Sequence, residues 1–80
     1  MKRDWVPAYT IRKASLTNDR LRHSLELAEE AISVDPLHRH KRLELDGLVF
    51  DANEEGLIII YRVEPDGTIV FVTFRDLWNR

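Results

Sequence analysis

An apolar segment followed by a strong turn signal limits the folds open to this chain more than any other feature. Residues 57–64 read LIIIYRVE, a nearly unbroken apolar run that is typical of a central strand covered on both faces. Pro65, Asp66 and Gly67 come next, where proline presets one backbone dihedral angle and glycine accepts a positive φ. Residues 68–74 then form the returning strand. The sequence therefore predicts a β-hairpin in this part of the chain.

A helix is predicted upstream of the hairpin. Apolar residues recur at helical spacing and form one stripe at Leu21, Leu25, Ala28 and Ile32. Thr17 is predicted to cap the N-terminus of the helix, and Pro36 ends it because the residue before a proline is pushed out of helical geometry. Three acidic residues are assigned to the arc that faces water: Glu26, Glu29 and Glu30.

The remaining elements are shorter. Residues 8–14 alternate loosely, with Tyr9 and Ile11 on one face, and are predicted to form a first strand. Residues 42–50 alternate as well and are predicted to form a strand in which Gly47 marks a bulge or a bend. The order of strand, helix and three-strand meander predicts an α+β fold, with the N-terminal strand and helix packed on an antiparallel β-meander. Eighty residues suit a single domain over residues 1–80.

Composition excludes several classes of function. The chain has no cysteine, so a disulfide framework, a thiolate metal site and a cysteine nucleophile are all excluded. The longest apolar stretch has five residues, far short of the roughly 20 that a membrane-spanning helix needs. No secretion signal is evident, so the expected compartment is the cytoplasm. No glycine-rich phosphate loop and no metal-ligand spacing are present, and we expect neither a metal site nor another cofactor.

Charge is distributed unevenly along the chain. The net charge is −2, which argues against indiscriminate nucleic-acid binding, but residues 1–42 have a balance of +3 and residues 43–80 a balance of −5. This division is compatible with one basic and one acidic surface suited to two partners. It is equally compatible with an ordinary solvated surface.

The segments around the predicted hairpin resemble the RelE/ParE-like toxins of bacterial type II toxin–antitoxin systems. The resemblance covers about residues 16–78 and is carried by residues 35–37 (DPL), 56–63 (GLIIIYRV), 66–71 (DGTIVF) and 75–77 (RDL). It implies one of two activities. RelE-like members are ribosome-dependent endoribonucleases that cut messenger RNA, and ParE-like members poison DNA gyrase. Both kinds are neutralised by an antitoxin protein.

RNA cleavage of this kind needs a group that activates the ribose 2′-hydroxyl, cations at the phosphate and an acid for the leaving oxygen. Histidine suits the proton transfers and arginine the phosphate. The richest segment follows the helix and reads His38, Arg39, His40, Lys41 and Arg42. We assign His40, with His38 as the alternative, to proton transfer and the rest of the segment to RNA binding. The alternative for any single residue is a solvated, flexible connector or an ion pair with Glu44 or Asp46.

Two further arginines complete the predicted site. Arg75 follows the last strand, where related toxins often place a catalytic histidine or arginine, and its alternative is an ion pair with Asp76 or another surface acid. Arg62 is assigned to RNA binding, provided that Tyr61 faces the helix, and its alternative is an ion pair with Glu64 or Glu44. Aromatic residues that could stack on bases are Trp5, Phe74 and Trp78.

The chain also departs from the family pattern. Where RelE-type nucleases carry cations before and early in the central strand, this chain has Val49, Phe50, Asp51, Ala52 and Ile58. The family's C-terminal tyrosine or histidine segment is missing as well. The leading hypothesis is therefore a ribosome-dependent messenger RNA endoribonuclease, and the alternative is a non-catalytic, toxin-like protein-binding module that is gyrase-directed or degenerate. A homodimer stays open, because so small a core leaves apolar sheet surface to cover.

Overall fold

The computed structural model describes residues 2–34, 42–52 and 56–76. In chain order the described elements are β1 (Arg3–Trp5), α1 (Pro7–Ala14), α2 (Asp19–Val34), β2 (Arg42–Leu45), β3 (Leu48–Ala52), β4 (Leu57–Val63) and β5 (Ile69–Asp76). The described strands form one sheet in the order β1-β5-β4-β3-β2, with β1 parallel to β5 and every other pair antiparallel. The predicted α+β fold and its last hairpin are confirmed. Neither described helix is long and apolar enough to cross a membrane.

The predicted strand over residues 8–14 is wrong, because helix α1 occupies this segment. Pro7 opens the helix, and proline is well tolerated there since its missing N–H would have no intrahelical partner. Tyr9 and Ile11 lie on different faces: Tyr9 is 1% exposed and Ile11 is 67% exposed. The first strand is the shorter β1, which lies before the helix and beside β5.

Helix α2 is the helix predicted from the apolar stripe. Leu25 and Ile32 are fully buried. Its cap differs from the prediction, because the side-chain Oδ1 of Asn18, one residue after Thr17, accepts a hydrogen bond from the backbone N–H of Leu21 at 3.2 Å. The helix is described as far as Val34, and the predicted stop at residues 35–36 lies outside the described residues.

Glu29 was assigned to the solvent-facing arc of α2, and this assignment is wrong. Glu29 is only 4% exposed. The Tyr9 hydroxyl donates a hydrogen bond to Glu29 Oε2 at 2.6 Å, and Lys13 Nζ donates to Oε1 at 3.0 Å. The carboxylate thus joins α1 to α2, and burial, together with Glu29, raises the pKa of Tyr9 far above its ordinary value.

The segment predicted as one strand over residues 42–50 is a hairpin of β2 and β3. Asp46 and Gly47 form its turn, with φ values of 53° and 79°. Two consecutive positive φ angles define the tight turn that an Asp-Gly pair favours, since its twist matches that of the flanking strands. The feature at Gly47 is therefore a chain reversal, which adds a fourth strand after the helices in the described part of the chain.

Strand β4 lies between β3 and β5, so the predicted central position is confirmed, but the helices cover only one of its two faces. Leu57, Ile59 and Tyr61 are at most 1% exposed and pack in the core beneath the helices. Ile58 and Ile60 alternate with them and lie partly exposed on the other side. We call this side, which faces away from α1 and α2, the open face.

A β-bulge in β5 decides which of its residues reach the open face. Phe71 pairs with Tyr61 and Thr73 pairs with Ile60, so Val72 is an extra residue. Phe74 consequently shares the core side with Phe71, and Arg75 stands on the open face opposite Ile58. Without the bulge the alternation would bring Thr73 to the core and Arg75 to the helix side.

Candidate functional site

Arg75 lies near the end of β5 with its side chain exposed. Its cross-strand neighbour is Ile58, and residues that are directly opposite in an antiparallel pair share one face. Within residues 2–34, 42–52 and 56–76, no ion pair of Arg75 is found. The guanidinium therefore keeps its donors for an external anion as far as the described residues are concerned.

Arg62 lies on the same open face. Tyr61 is fully buried beneath the helices, and Arg62, the next residue, points the other way and is exposed. Arg62 Nε donates to Glu64 Oε1 at 2.9 Å, with both side chains about 40% exposed. Such an exposed pair is weak, and the two terminal nitrogens of the guanidinium can still donate to a phosphate.

The two arginines stand at different ends of the open face. Arg75 is level with Ile58, which precedes Arg62 by four residues on β4. At the usual rise of a strand, this corresponds to about 13 Å along the sheet. The pair therefore suits two separate phosphates of a longer strand.

The surface between the arginines is mostly apolar. Cross-strand pairs align Phe50 with Ile60, Ala52 with Ile58, and Ile60 with Thr73. Phe50, Ile58, Ile60 and Thr73 are partly exposed, and Ala52 is exposed. This strip contains no histidine and no carboxylate among those described positions, so it can contact bases or an apolar partner but supplies no proton-transfer group.

Most of the predicted basic segment cannot be placed. His38, Arg39, His40 and Lys41 lie outside the described residues, and Arg42 begins β2 with its backbone paired to Asp51. The register continues from Asp51 through Ile59 to Phe74, next to Arg75. The backbone of Arg42 therefore lies at the end of the sheet that carries Arg75, three strand spacings or about 14 Å away.

The predicted aromatic contacts have structural roles where they are described. Trp5 stacks on Phe71 with ring centroids 5.5 Å apart. Phe74 is 1% exposed and makes an edge contact with Tyr9 at 5.1 Å, so it is closed to a base. Trp78 lies outside the described residues. In the part of the chain that the structure describes, no three His, Asp or Glu side chains gather as a metal site requires.

The sequence does not predict the position of Arg12, which lies on the helix side of this end of β5. Its guanidinium carbon lies 5.0 Å from the centroid of the Phe74 ring, and the side chain is exposed. A strand over residues 8–14 does not predict the contact between Arg12 and Phe74, because that contact depends on the segment being a helix. The signal that would have found it is Pro7, which favours the first turn of a helix and sets the direction of every later residue in α1.

Comparisons with protein-family models and with curated proteins gave no match. A solved structure does match: the isolated RelE toxin of E. coli, with a TM-score of 0.77 and 12% sequence identity over 94% of this chain and 82% of that one. Identity this low speaks for the fold alone, and the likeness extends over nearly the whole chain. The resemblance inferred from the hairpin segments is thus confirmed at the level of structure: this chain has a RelE-like α+β fold.

Proposed function

We propose that this protein is the toxin of a toxin–antitoxin pair and that it cuts messenger RNA at the ribosome, in the cytoplasm. The proposal is supported by the fold it shares with the RelE toxin. The observation that carries it further is Arg75, an exposed guanidinium without an ion pair among the described residues, on a sheet face that the helices leave open.

The roles divide by chemistry. Arg75 stabilises the negative charge that develops on the phosphate during attack by the 2′-hydroxyl, and Arg62 binds another phosphate of the same strand. His40, or His38 in its place, transfers the protons, because histidine exchanges them near neutral pH. Arg39, Lys41 and Arg42 supply further cations for the RNA backbone. No metal ion takes part in this scheme.

The test is inducible expression of the chain with growth and messenger RNA integrity as readouts. We expect arrest of growth and cleaved messenger RNA, relieved by co-expression of a small neighbouring gene that encodes the antitoxin. Arg75→Ala should lower cleavage about 10²-fold, the usual loss when one transition-state donor is removed. His40→Ala should relieve the arrest as well. Arg20→Ala is the matched control, because Arg20 is exposed on α2, and α2 packs on the side of the sheet opposite to Arg75.

Thermal melting of each variant separates loss of activity from loss of fold. Unchanged growth with intact messenger RNA on expression of the wild-type chain would refute the proposal. Equal toxicity of the Arg75→Ala and Arg20→Ala variants would instead refute the role of Arg75.

A second candidate is a non-catalytic, toxin-like module that binds a protein such as gyrase. The observation that favours it is the apolar middle of the open face, formed by Phe50, Ile58 and Ile60 where a nuclease would carry cations. This candidate predicts growth arrest with intact messenger RNA and inhibited supercoiling by purified gyrase. Sedimentation at two protein concentrations would show whether a second copy covers the apolar strip instead.

A further inference from the structure

Among the described residues, no strand lies beside the second half of β5 on the side away from β4, and we call this stretch the free edge. β1 pairs only with Ile69, Val70 and Phe71. The Val6 N–H then donates to the Phe71 carbonyl at 3.0 Å, and the chain turns away into α1 at Pro7. Within the described residues, the part of β5 from residue 72 to residue 76 therefore has a strand neighbour on the β4 side only.

Arg12 and Arg75 lie on the two sides of this free edge. Phe74 and Arg75 are consecutive, so their side chains leave the strand in opposite directions. Arg12 reaches over the Phe74 ring from α1, with 5.0 Å between its guanidinium carbon and the ring centroid. One guanidinium thus stands on the helix side of the edge and the other on the open face.

The charged group of Arg12 has different surroundings from that of its neighbour Lys13. Lys13 Nζ lies 3.0 Å from the buried carboxylate of Glu29 and is committed to the packing of α1 on α2. Arg12 is exposed, and its contact in the described part of the chain is the face of Phe74. A guanidinium that contacts a ring face spends no N–H donor on a carboxylate, so its donors can still bind a phosphate.

We infer that a single RNA strand passes round the free edge of β5, with one phosphate on Arg75 and a neighbouring phosphate on Arg12. Arg12 is then an RNA-binding residue, and the site extends from the open face onto α1. The inference rests on the proposed function, since it takes RNA as the target. It adds a residue and a path that neither the sequence nor the shared fold supplies.

The experiment measures binding of a fluorescein-labelled, single-stranded RNA oligonucleotide to the full chain by anisotropy, at several salt concentrations between about 50 and 200 mM. Arg12→Ala should weaken binding about tenfold, as expected for one charge-assisted contact. The slope of log K against log salt should fall by about 0.7, the value for one phosphate contact with a single strand. Arg12→Lys should keep the slope, and Arg12→Glu should bind more weakly than Arg12→Ala.

Arg20→Ala and Arg20→Glu are the matched controls, since they change net charge by the same amount at an exposed helical position. Melting curves verify that the exposed substitutions leave the fold intact. If wild type binds and Arg75→Ala weakens binding, but the Arg12 variants behave like the Arg20 variants, the path round the edge is wrong and the proposed function stands. If wild type fails to bind the oligonucleotide, the path round the edge is overturned, and the proposed function is judged separately by messenger RNA integrity on expression of the wild-type chain.

Discussion

Replacing Tyr9 by phenylalanine tests how the two helices are joined. The Tyr9 hydroxyl is a donor to a carboxylate that is 4% exposed, at a distance of 2.6 Å. Phenylalanine keeps the ring, and with it the packing against Phe71 and Phe74 at centroid distances of 5.8 and 5.1 Å. The substitution therefore removes one hydrogen bond and little else.

The size of the effect follows from the environment of Glu29. Loss of a hydrogen bond to a buried charged group costs about 1.5–3 kcal/mol. Lys13 Nζ stays 3.0 Å from Oε1 and still compensates part of the charge, so the loss lies towards the lower end, at about 2 kcal/mol. For a domain of this size, that lowers Tm by roughly 8–16 °C.

Urea denaturation followed by circular dichroism measures this loss as a shift of the midpoint with an unchanged m value. Thr10→Ala is the matched control, because Thr10 is exposed on the same helix. It should stay within about 0.5 kcal/mol of wild type. A Tyr9→Phe variant that also stays within that range would show that the bond contributes nothing and that Lys13 alone satisfies Glu29.

Two further predictions use the same denaturation assay. Because burial and Glu29 raise the pKa of Tyr9, the unfolded chain ionises this phenol above pH 10 while the folded chain keeps its proton. Stability should therefore fall as pH rises past 10, less steeply in Tyr9→Phe than in wild type; parallel curves between pH 9 and 11 would contradict this. Gly47→Ala should lower the free energy of unfolding by about 1–2 kcal/mol, because φ at this position is 79°. No atom lies within 4 Å of the added Cβ, so the loss comes from backbone strain alone. Gly47→Asn should lower the free energy of unfolding by less, and equal losses in the two variants would show that backbone strain is not the cause.

The proposed site was predictable in part. Arg62 and Arg75 were chosen from the sequence, and both lie exposed on one face of the sheet. Arg12 was not predicted, because its position depends on α1 being a helix that ends above Phe74. The roles of His38 and His40 stay predictions, since these residues lie outside the described part of the chain.

Local sequence patterns are enough to predict α2, β4 and the turn at Pro65. Each depends on neighbours within a few residues: a stripe of period 3.6, an apolar run, and residues that preset the backbone angles. The Asp46-Gly47 reversal is of the same local kind, because an Asp-Gly pair is itself the sequence signal of a two-residue turn.

Contacts between distant residues decided the rest. Glu29 has the helical position of a surface residue, yet it is buried because Tyr9 and Lys13 reach it from another helix. Arg75 faces outward because the bulge at Val72 lets Phe74 enter the core beside Phe71 and Tyr9. Both outcomes depend on which apolar and charged groups come into contact in the folded chain, and the spacing of residues along the sequence does not predict those contacts.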